Sequence, residues 1–235
     1  MLNAALKRRS TDCSNIPMIS FTDPRVENYL YAMLPQRSPV LQEMERQAKE
    51  RDIPIIGPAV ARLLYQYAKL INAKTIFEMG SAIGYSTIWW AEAVGPDGKV
   101  YYTDGSRKNA DEARGYFQQA GVADRIEVHI GDALELLSER KERFDILFCD
   151  VDKHDYPRVF TMAAARVRKG GLFLIDNTLW SGRVAYAAGN PDLLRPEPDN
   201  KTEGVVELNR LLYASPDWYT AIIPLRDGVT VAMRL

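Results

Sequence analysis

Five acidic side chains stand at the ends of apolar segments that have the length and composition of β-strands. They are Glu78, Asp104, Asp132, Asp150 and Asp176, each at the end of its segment or within two residues of it. In an open parallel sheet, the carboxyl ends of the strands line the crevice where ligands bind. A single acid in such a place can simply cap the next helix, and for Asp132 that role and adenine binding both stay open. Five acids in register predict a ligand site rich in carboxylates.

Asp150 and the pair Asp176-Asn177 follow two segments, 144–149 and 171–175, that we expect to be neighbouring strands. Two carboxylates and one amide would then meet at one edge of the sheet. Oxygen ligands without His or Cys are typical of sites for hard cations, which add water and substrate oxygens. We therefore predict a divalent cation site for Mg²⁺, with Ca²⁺ or Mn²⁺ as alternatives. For either strand alone, a helix cap or a turn would be the simpler interpretation.

Lys153 lies three residues after Asp150 and is the candidate general base. A lysine that is held beside a divalent cation and partly removed from water can serve as a proton acceptor. The alternative is a solvated lysine that precedes a helix. The sequence has only two histidines, His129 and His154, and no Gly-x-Ser-x-Gly motif. A histidine-dependent hydrolase is therefore not favoured.

The strand at 75–79 and the turn after it predict a site for a positively charged ligand. The spacing of Gly80 and Gly84 is not the dinucleotide-binding fingerprint, and no lysine stands in the turn to hold phosphates. Instead, Glu78 and Asp104 place acids near the turn, and an acid at the end of the second strand suits a ribose diol. S-adenosylmethionine (SAM) carries an ammonium, a sulfonium, a ribose and an adenine. It matches these features better than a nicotinamide cofactor does.

The composition limits the class of protein. The chain has 235 residues, 46% of them hydrophobic, which is enough for one well-buried α/β domain with an extra lobe. Its net charge of −1 argues against a nucleic-acid partner. Two cysteines, Cys13 and Cys149, are too few for a disulfide framework and favour a reduced, cytoplasmic protein. No apolar run is long enough to span a bilayer, so we expect no membrane partner.

The predicted elements alternate between helix and strand. Three helices come first, at 23–33, 39–50 and 57–71, followed by strands at 75–79, 99–103, 125–130, 144–149 and 171–175, with helices between them at 86–94 (capped by Ser86-Thr87), 107–120, 133–140 and 156–168. This alternation predicts a parallel sheet with helices on both faces. Segments 219–224 and 229–234 flank Arg226-Asp227-Gly228, which is typical of a hairpin turn. We expect the hairpin to add an antiparallel strand.

Several motifs together are similar to those of a known enzyme family. They are Lys69-Leu-Ile-Asn-Ala-Lys74, Phe77-Glu-Met-Gly-Ser-Ala-Ile-Gly-Tyr-Ser86, Gly131-Asp-Ala-Leu134, Phe144-Asp-Ile-Leu-Phe-Cys-Asp-Val-Asp-Lys153, Gly170-Gly-Leu-Phe-Leu-Ile-Asp-Asn-Thr-Leu-Trp180 and Pro224-Leu-Arg-Asp-Gly228. In this order they resemble the metal-dependent O-methyltransferases of the caffeoyl-CoA and catechol type, from about Asp23 to the C-terminus. The resemblance implies a Rossmann-like, seven-stranded SAM-methyltransferase sheet, and a homodimer.

The resemblance also implies roles for individual residues. The predicted SAM contacts are Ile56 (through its backbone), Glu78, Gly80, Ser81, Tyr85, Ser86, Asp104, Asp132, Ala133 and Asp150. The predicted metal ligands are Asp150, Asp176 and Asn177, the base is Lys153, and Asp152 matches a substrate contact of the family. Trp180 and Arg183 are added as substrate contacts because the loop that holds them leaves directly from the metal-binding end of the strand at 171–175. At two places that concern the methyl acceptor, this sequence departs from the pattern of the family. Ser181 stands where plant enzymes place an Asn that meets the substrate, and residues 16–23 lack a lysine to meet a coenzyme A tail.

We divide the chain into an arm (1–22) and one methyltransferase domain (23–235). The domain comprises a helical cap (23–72), a βα core (73–180), an acceptor loop (181–203) that contains three prolines, and a C-terminal helix and hairpin (204–235). A loop of that length inside a compact domain is usually functional or disordered.

The sequence predicts methyl transfer from SAM to one hydroxyl of a vicinal dihydroxy-aromatic, with free catechols preferred over coenzyme A thioesters. Alternative acceptors are a hydroxycinnamoyl-CoA thioester and a hydroxylated uridine in tRNA. A SAM-binding module without catalysis is the alternative from another class of protein.

Overall fold

A computed structural model describes residues 23–187 and 199–235. The predicted arm (1–22), and residues 188–198 of the predicted acceptor loop, lie outside the described residues.

Nine helices and seven strands occur in the part of the chain that the structure describes. The helices are α1 (Pro24–Ala32), α2 (Pro39–Arg51), α3 (Gly57–Leu70), α4 (Tyr85–Val94), α5 (Arg107–Gln119), α6 (Ala133–Ser138), α7 (Tyr156–Arg166), α8 (Arg183–Ala187) and α9 (Asn200–Ala214). The strands are β1 (Thr75–Met79), β2 (Lys99–Asp104), β3 (Ile126–Ile130), β4 (Phe144–Cys149), β5 (Val167–Ile175), β6 (Trp218–Ile223) and β7 (Val229–Arg234).

The seven strands form a single sheet in the order β3-β2-β1-β4-β5-β7-β6. Strands β1 to β5 pair in parallel, while β7 runs antiparallel to both β5 and β6. The predicted fold, a mostly parallel Rossmann-like sheet with an antiparallel C-terminal strand, is confirmed. The strand order reverses between β1 and β4, and such a switch point is where an open α/β sheet binds its ligand.

Helices cover the two faces of the sheet. One apolar cluster joins α2, α3, α4 and α5 to the sheet, and a second joins α6, α7 and α9 to it. Alternate residues of the central strands contribute to the two clusters, as Ile76 and Phe77 do in β1. Within the described residues, no helix has the length and apolar character needed to cross a membrane.

Three local predictions need correction. The strand predicted at 171–175 begins at Val167, and the preceding helix ends at Arg166, because the chain passes directly from α7 into the sheet through a register shift opposite β4. The segment predicted to be a loop (181–203) contains helix α8 and the start of helix α9, which begins at Asn200 and is capped by Asp199. Helix α4 begins after Gly84, whose φ is +85°, so Ser86 lies inside the helix instead of capping it.

Candidate functional site

An open cleft of about 450 Å³ lies at the carboxyl edge of the strands. Its lining comes from the segment before α3, the turn after β1, the end of β2, the segments after β4 and β5, and the β6–β7 turn. These residues are Pro54, Ile55, Gly80, Ala82, Asp104, Asp150, Val151, Asp152, Lys153, Asp176, Asn177, Trp180 and Arg226. The structure thus brings together the predicted base, the three predicted metal ligands and three of the predicted cofactor contacts.

Gly80 is required where the turn after β1 meets the end of β4. Its φ is +82°, which favours glycine, and a Cβ there would lie 2.9 Å from the carbonyl carbon of Asp150. The same turn is tied to β2, because the amides of Gly80 and Ser81 both donate to the Thr103 carbonyl, at 3.2 and 3.0 Å. The glycine therefore lets β1 and β4 close together at the floor of the cleft.

Asp104 is held in place by hydrogen bonds to its side chain. Its Oδ2 accepts from the Ala82 amide at 2.9 Å, and its Oδ1 accepts from the Ser106 amide at 2.8 Å and from Asn109 Nδ2 at 3.1 Å. Two carboxylate oxygens offer about four acceptor positions, so capacity for a ligand hydroxyl remains. The side chain lines the cleft and its orientation is fixed before a ligand arrives.

Glu78, near the carboxyl end of β1, is fully buried. The Thr87 hydroxyl donates to Oε2, while Oε1 has no hydrogen-bond partner among the residues that the structure describes. Burial raises the pKa of Glu78, although the hydroxyls of Ser86, Thr87 and Ser81 oppose that shift. An unpartnered buried carboxylate oxygen is costly, and a ligand donor such as an ammonium would relieve that cost.

Asp176, at the end of β5, has the properties expected of a cation ligand. It is 1% exposed, and neither of its carboxylate oxygens has a hydrogen-bond partner within residues 23–187 and 199–235. Burial first, and then the charge of Asp150, raise the pKa of Asp176 to about 7. The Nδ2 of Asn177 donates to Asp227 at 3.2 Å, which leaves the amide oxygen for another partner. Two carboxylates and one amide oxygen fit the donor preference of a hard divalent cation.

The candidate ligands Asp150, Asp176 and Asn177 do not form a cluster of three acidic, histidine or cysteine side chains. Among the described residues, no group of three or more His, Cys, Asp or Glu side chains is placed to hold a metal ion. The candidate set has two carboxylates, and its third member is an amide. A cation held there would need further oxygens from water or substrate, which the open cleft can admit.

Lys153 is buried at the wall of the cleft, with 8% of its surface exposed. Its Nζ lies 2.8 Å from Asp150 Oδ1 and 3.2 Å from the Val151 carbonyl oxygen. The rings of Tyr156 and Trp180 approach the ammonium, with their centroids 5.4 and 5.7 Å from Nζ. Because the side chain is enclosed and its nitrogen is held in place, the Lys153 nitrogen could exchange a proton with a ligand at a defined point in the cleft.

Gly204 of α9 supports Lys153 and was not identified from the sequence. A Cβ at Gly204 would overlap the Lys153 carbonyl oxygen and would lie 3.0 Å from His154 Cα. The helix therefore packs directly on the backbone of the 3₁₀ turn Lys153–Asp155. A glycine inside a helix weakens it and often marks such a close approach, and this is the signal that could have identified it.

Asp227 in the β6–β7 turn was predicted only as a hairpin residue, yet it organises the segment after β5. Its carboxylate accepts from the Ser181 amide as well as from Asn177 Nδ2. Within this segment, Asn177, Trp180 and Ser181 have φ values of 57°, 46° and 51°. Left-handed backbone at non-glycine residues costs energy and persists where surrounding contacts hold it. Asp227 is one such contact.

Two of the three predicted substrate contacts line the cleft. Asp152 pairs with Lys201 of α9 at 2.7 Å, and this bond lowers the pKa of Asp152. Trp180 lies beside Lys153. Arg183 is not a lining residue; its guanidinium lies 5.8 Å from the Trp180 ring centroid, and Nη1 lies 3.4 Å from Asp199.

Several predicted cofactor contacts also lie outside the cleft lining: Ile56, Glu78, Ser81, Tyr85, Ser86, Asp132 and Ala133. Tyr85 is buried and its hydroxyl donates to Glu45 of α2 at 2.7 Å. Asp132 caps α6 by accepting from the Leu134 and Glu135 amides. Asp132 therefore caps a helix, which was one of its two predicted roles. The other role, a contact with adenine, stays a prediction.

A comparison with known proteins decides the family. A family model described as O-methyltransferase matches residues 33–235. The chain belongs to the O-methyltransferase family. Among curated relatives, caffeoyl-CoA O-methyltransferase 1 of Eucalyptus globulus is 36% identical over 179 residues, which cover 74% of this chain and 72% of the relative. The caffeoyl-CoA O-methyltransferase of Petroselinum crispum is 36% identical over 180 residues, 74% of each chain.

Solved structures of O-methyltransferases share the fold. The O-methyltransferase TomG of Streptomyces achromogenes, solved in complex with SAM, superposes with a TM-score of 0.78 at 31% identity, covering 89% of this chain and 96% of TomG. An O-methyltransferase of Bacillus cereus in complex with SAH gives a TM-score of 0.78 at 28% identity, covering 90% and 97%. The prediction of a SAM-dependent O-methyltransferase of the caffeoyl-CoA type is confirmed.

Proposed function

We propose that this O-methyltransferase methylates one hydroxyl of a vicinal dihydroxy-aromatic and needs a divalent cation, with Mg²⁺ as the first candidate. One observation carries the proposal. Asp176 is buried beside the like charge of Asp150, and neither of its oxygens has a hydrogen-bond partner among the described residues. Binding SAM alone gives no reason to keep such an arrangement, because the methyl donor already carries its own positive charge.

Different residues of the cleft would bind the cation, bind the methyl donor and accept the proton. Asp150, Asp176 and Asn177 would hold the cation, and Gly80 and Asp104 would hold the methyl donor at the adjacent turn. A bound divalent cation would supply positive charge that favours the ionised form of a neighbouring hydroxyl. Lys153 would act as the general base and accept the proton of that hydroxyl. The hydroxyl oxygen then forms a bond to the methyl carbon as the carbon–sulfur bond breaks.

Much of the rate acceleration would come from positioning. Lys153 is fixed by two oxygen acceptors and two rings, and Asp104 is fixed by three donors. Groups held in this way need little reorganisation before reaction. Trp180 and the segment Pro54–Ile55 provide apolar walls on which an aromatic ring can pack.

The test compares matched acceptors. Wild-type enzyme with Mg²⁺ should transfer the labelled methyl group of SAM to 3,4-dihydroxybenzoate and much more slowly to the 3- or 4-monohydroxy compounds. Lys153→Met should lower kcat about a hundredfold or more, since a general base contributes on that scale, and should leave the SAM dissociation constant nearly unchanged. Lys169→Met, an exposed lysine of β5, is the control. Equal turnover of diols and monophenols would overturn the proposed acceptor class.

A hydroxycinnamoyl-CoA thioester is the second candidate acceptor, favoured by the names of the curated plant relatives. The absence of a lysine in residues 16–23 and the serine at position 181 weigh against it. We expect free caffeic acid to give a higher kcat/KM than caffeoyl-CoA. A kcat/KM that favours the thioester by about tenfold or more would instead support the second candidate.

A further inference from the structure

Arg226 is a cation in the cleft to which neither the sequence nor the proposed mechanism gives a role. It lies in the β6–β7 turn with a φ of 55°, and its side chain lines the cleft with 34% of its surface exposed. The acid closest to it is Asp176, whose Oδ2 is 3.9 Å from Nη1. Within residues 23–187 and 199–235, its guanidinium donates no hydrogen bond to any partner.

Among the described residues, the other cationic side chains near the cleft already have acidic partners. Lys153 is bound to Asp150 at 2.8 Å, and Lys201 is bound to Asp152 at 2.7 Å. Arg183 lies outside the lining and pairs with Asp199. Arg226 therefore offers the guanidinium with unused donors, five N–H groups in a planar fork that suits a carboxylate or a related acid.

The contact between Arg226 and Asp176 leaves the N–H donors of the guanidinium free for a ligand. An N···O separation of 3.9 Å is beyond hydrogen-bonding distance, so the interaction is a through-space attraction. If Asp176 holds a cation, it becomes a weaker partner for a second positive group. The lining has four carboxylates and two basic side chains, and a divalent cation together with a sulfonium more than offsets that difference. The loaded cleft would thus attract an anion.

We propose that the methyl acceptor is an aromatic diol that carries an acidic group, and that Arg226 binds this group. The inference rests on the proposed function for the diol and adds the charged substituent. Arg226 is a specificity-determining residue in this account, and it takes no part in proton transfer.

A pair of acceptors that differ only in charge tests the proposal: 3,4-dihydroxybenzoate and its methyl ester. Dissociation constants for both are measured by calorimetry on the complex with Mg²⁺ and S-adenosylhomocysteine, and kcat/KM is measured with SAM. Wild-type enzyme should favour the acid. Arg226→Met keeps a Cβ and an unbranched stem at the left-handed position and should weaken binding of the acid about tenfold or more, as the loss of a hydrogen bond to a charged group predicts.

The ester separates recognition from a structural role. Its dissociation constant should change less than threefold in Arg226→Met, and Arg226→Lys should recover part of the binding of the acid. Arg210→Met, which removes an exposed arginine of α9 that pairs with Glu207, is the control and should leave the ratio of acid to ester unchanged. Equal losses for acid and ester, or an unchanged ratio in Arg226→Met, would overturn the proposal. If neither compound is methylated, the proposed function fails, and the two dissociation constants still decide the role of Arg226.

Discussion

The pairing of individual polar atoms explains why this cleft is prepared for charged ligands. Hydrogen bonds from protein donors fix the Asp104 carboxylate in place. Glu78 and Asp176, in contrast, have buried carboxylate oxygens that accept no hydrogen bond from the described residues. Buried polar atoms without partners destabilise a fold by about 1–3 kcal/mol each. Their persistence at one edge of the sheet is consistent with ligands that supply the missing partners.

Asp104 gives the first prediction at this scale. Asp104→Asn should weaken SAM binding by about 1.5–3 kcal/mol, because a ligand hydroxyl would lose a charged acceptor. Calorimetric titration with SAM measures the change, and Asp124→Asn, a 72% exposed acid beside β3, is the control. Unchanged SAM affinity in a folded Asp104→Asn protein would rule out the ribose contact.

Asp176 gives a prediction for stability against pH. Its pKa is about 7 in the folded protein against an ordinary value of 3.8, so the stability of the folded protein is highest below pH 4 and falls as the pH rises to about 7. Above pH 7 the metal-free protein carries a cost on the order of a few kcal/mol. Metal-free Asp176→Asn, which has no carboxyl to ionise, should therefore melt at a higher temperature than wild type at pH 8.

At pH 4 the two proteins should melt at similar temperatures, because the Asp176 carboxyl is protonated in the folded wild type and largely protonated in the unfolded chain. The measurement is thermal unfolding followed by circular dichroism from pH 4 to 8 in EDTA. Parallel curves for the two proteins across this range would show that the Asp176 charge does not destabilise the fold.

At the scale of elements, helix α9 and the β6–β7 turn act as supports for the cleft. Helix α9 packs on the backbone of Lys153 through Gly204, and the turn holds the segment after β5 through Asp227. Both contacts join residues more than 45 positions apart in the chain. A glycine inside a helix signals a close approach, but the sequence does not show that Gly204 meets the Lys153 backbone or that Asp227 meets the segment after β5, because both contacts depend on how distant elements pack.

Gly204 gives the prediction at this scale. Gly204→Ala should push α9 away from the Lys153 backbone and lower kcat about tenfold to a hundredfold, since small displacements of a catalytic group are costly. SAM affinity should change little, because α9 does not line the turn after β1. Gly115→Ala in α5 is a matched control, because no atom lies within 4 Å of its added Cβ. The control should keep full activity and gain about 0.5–1 kcal/mol in stability. A folded Gly204→Ala enzyme with wild-type kcat would contradict the supporting role of α9.

The sequence predicted the elements best where the periodicity was unambiguous. Strands β1, β4 and β7 were bounded correctly because apolar runs end at an acid, a glycine or a charged turn. The error at β5 arose because Val167-Arg168-Lys169 suits either the end of a helix or an irregular strand. The meeting of Asp104, Asp150 and Asp176 in one cleft was also predictable, since parallel strands place their carboxyl ends together. The sequence did not indicate that Arg226 lines the cleft, because the direction in which a turn side chain points depends on the three-dimensional structure.

At the scale of the whole molecule, the switch point between β1 and β4 brings the two halves of the site together. Gly80 and Asp104 come from the first half of the sheet, while Asp150, Asp176 and the β6–β7 turn come from the second. A methyl donor on one side and an acceptor on the other would then meet over β1 and β4. The acceptor loop 181–203, the homodimer and the tRNA alternative stay predictions, and methyl transfer to undermodified tRNA tests the last of them.

The central claim is that methyl transfer to a diol depends on a divalent cation held by Asp150, Asp176 and Asn177. The most direct measurement is transfer from labelled SAM to 3,4-dihydroxybenzoate by enzyme stripped with EDTA, before and after Mg²⁺ is added. We expect the stripped enzyme to lose nearly all turnover, Mg²⁺ to restore it, and Asp176→Ala to stay inactive at any Mg²⁺ concentration while still binding SAM. Full turnover by the stripped, metal-free enzyme would contradict the account.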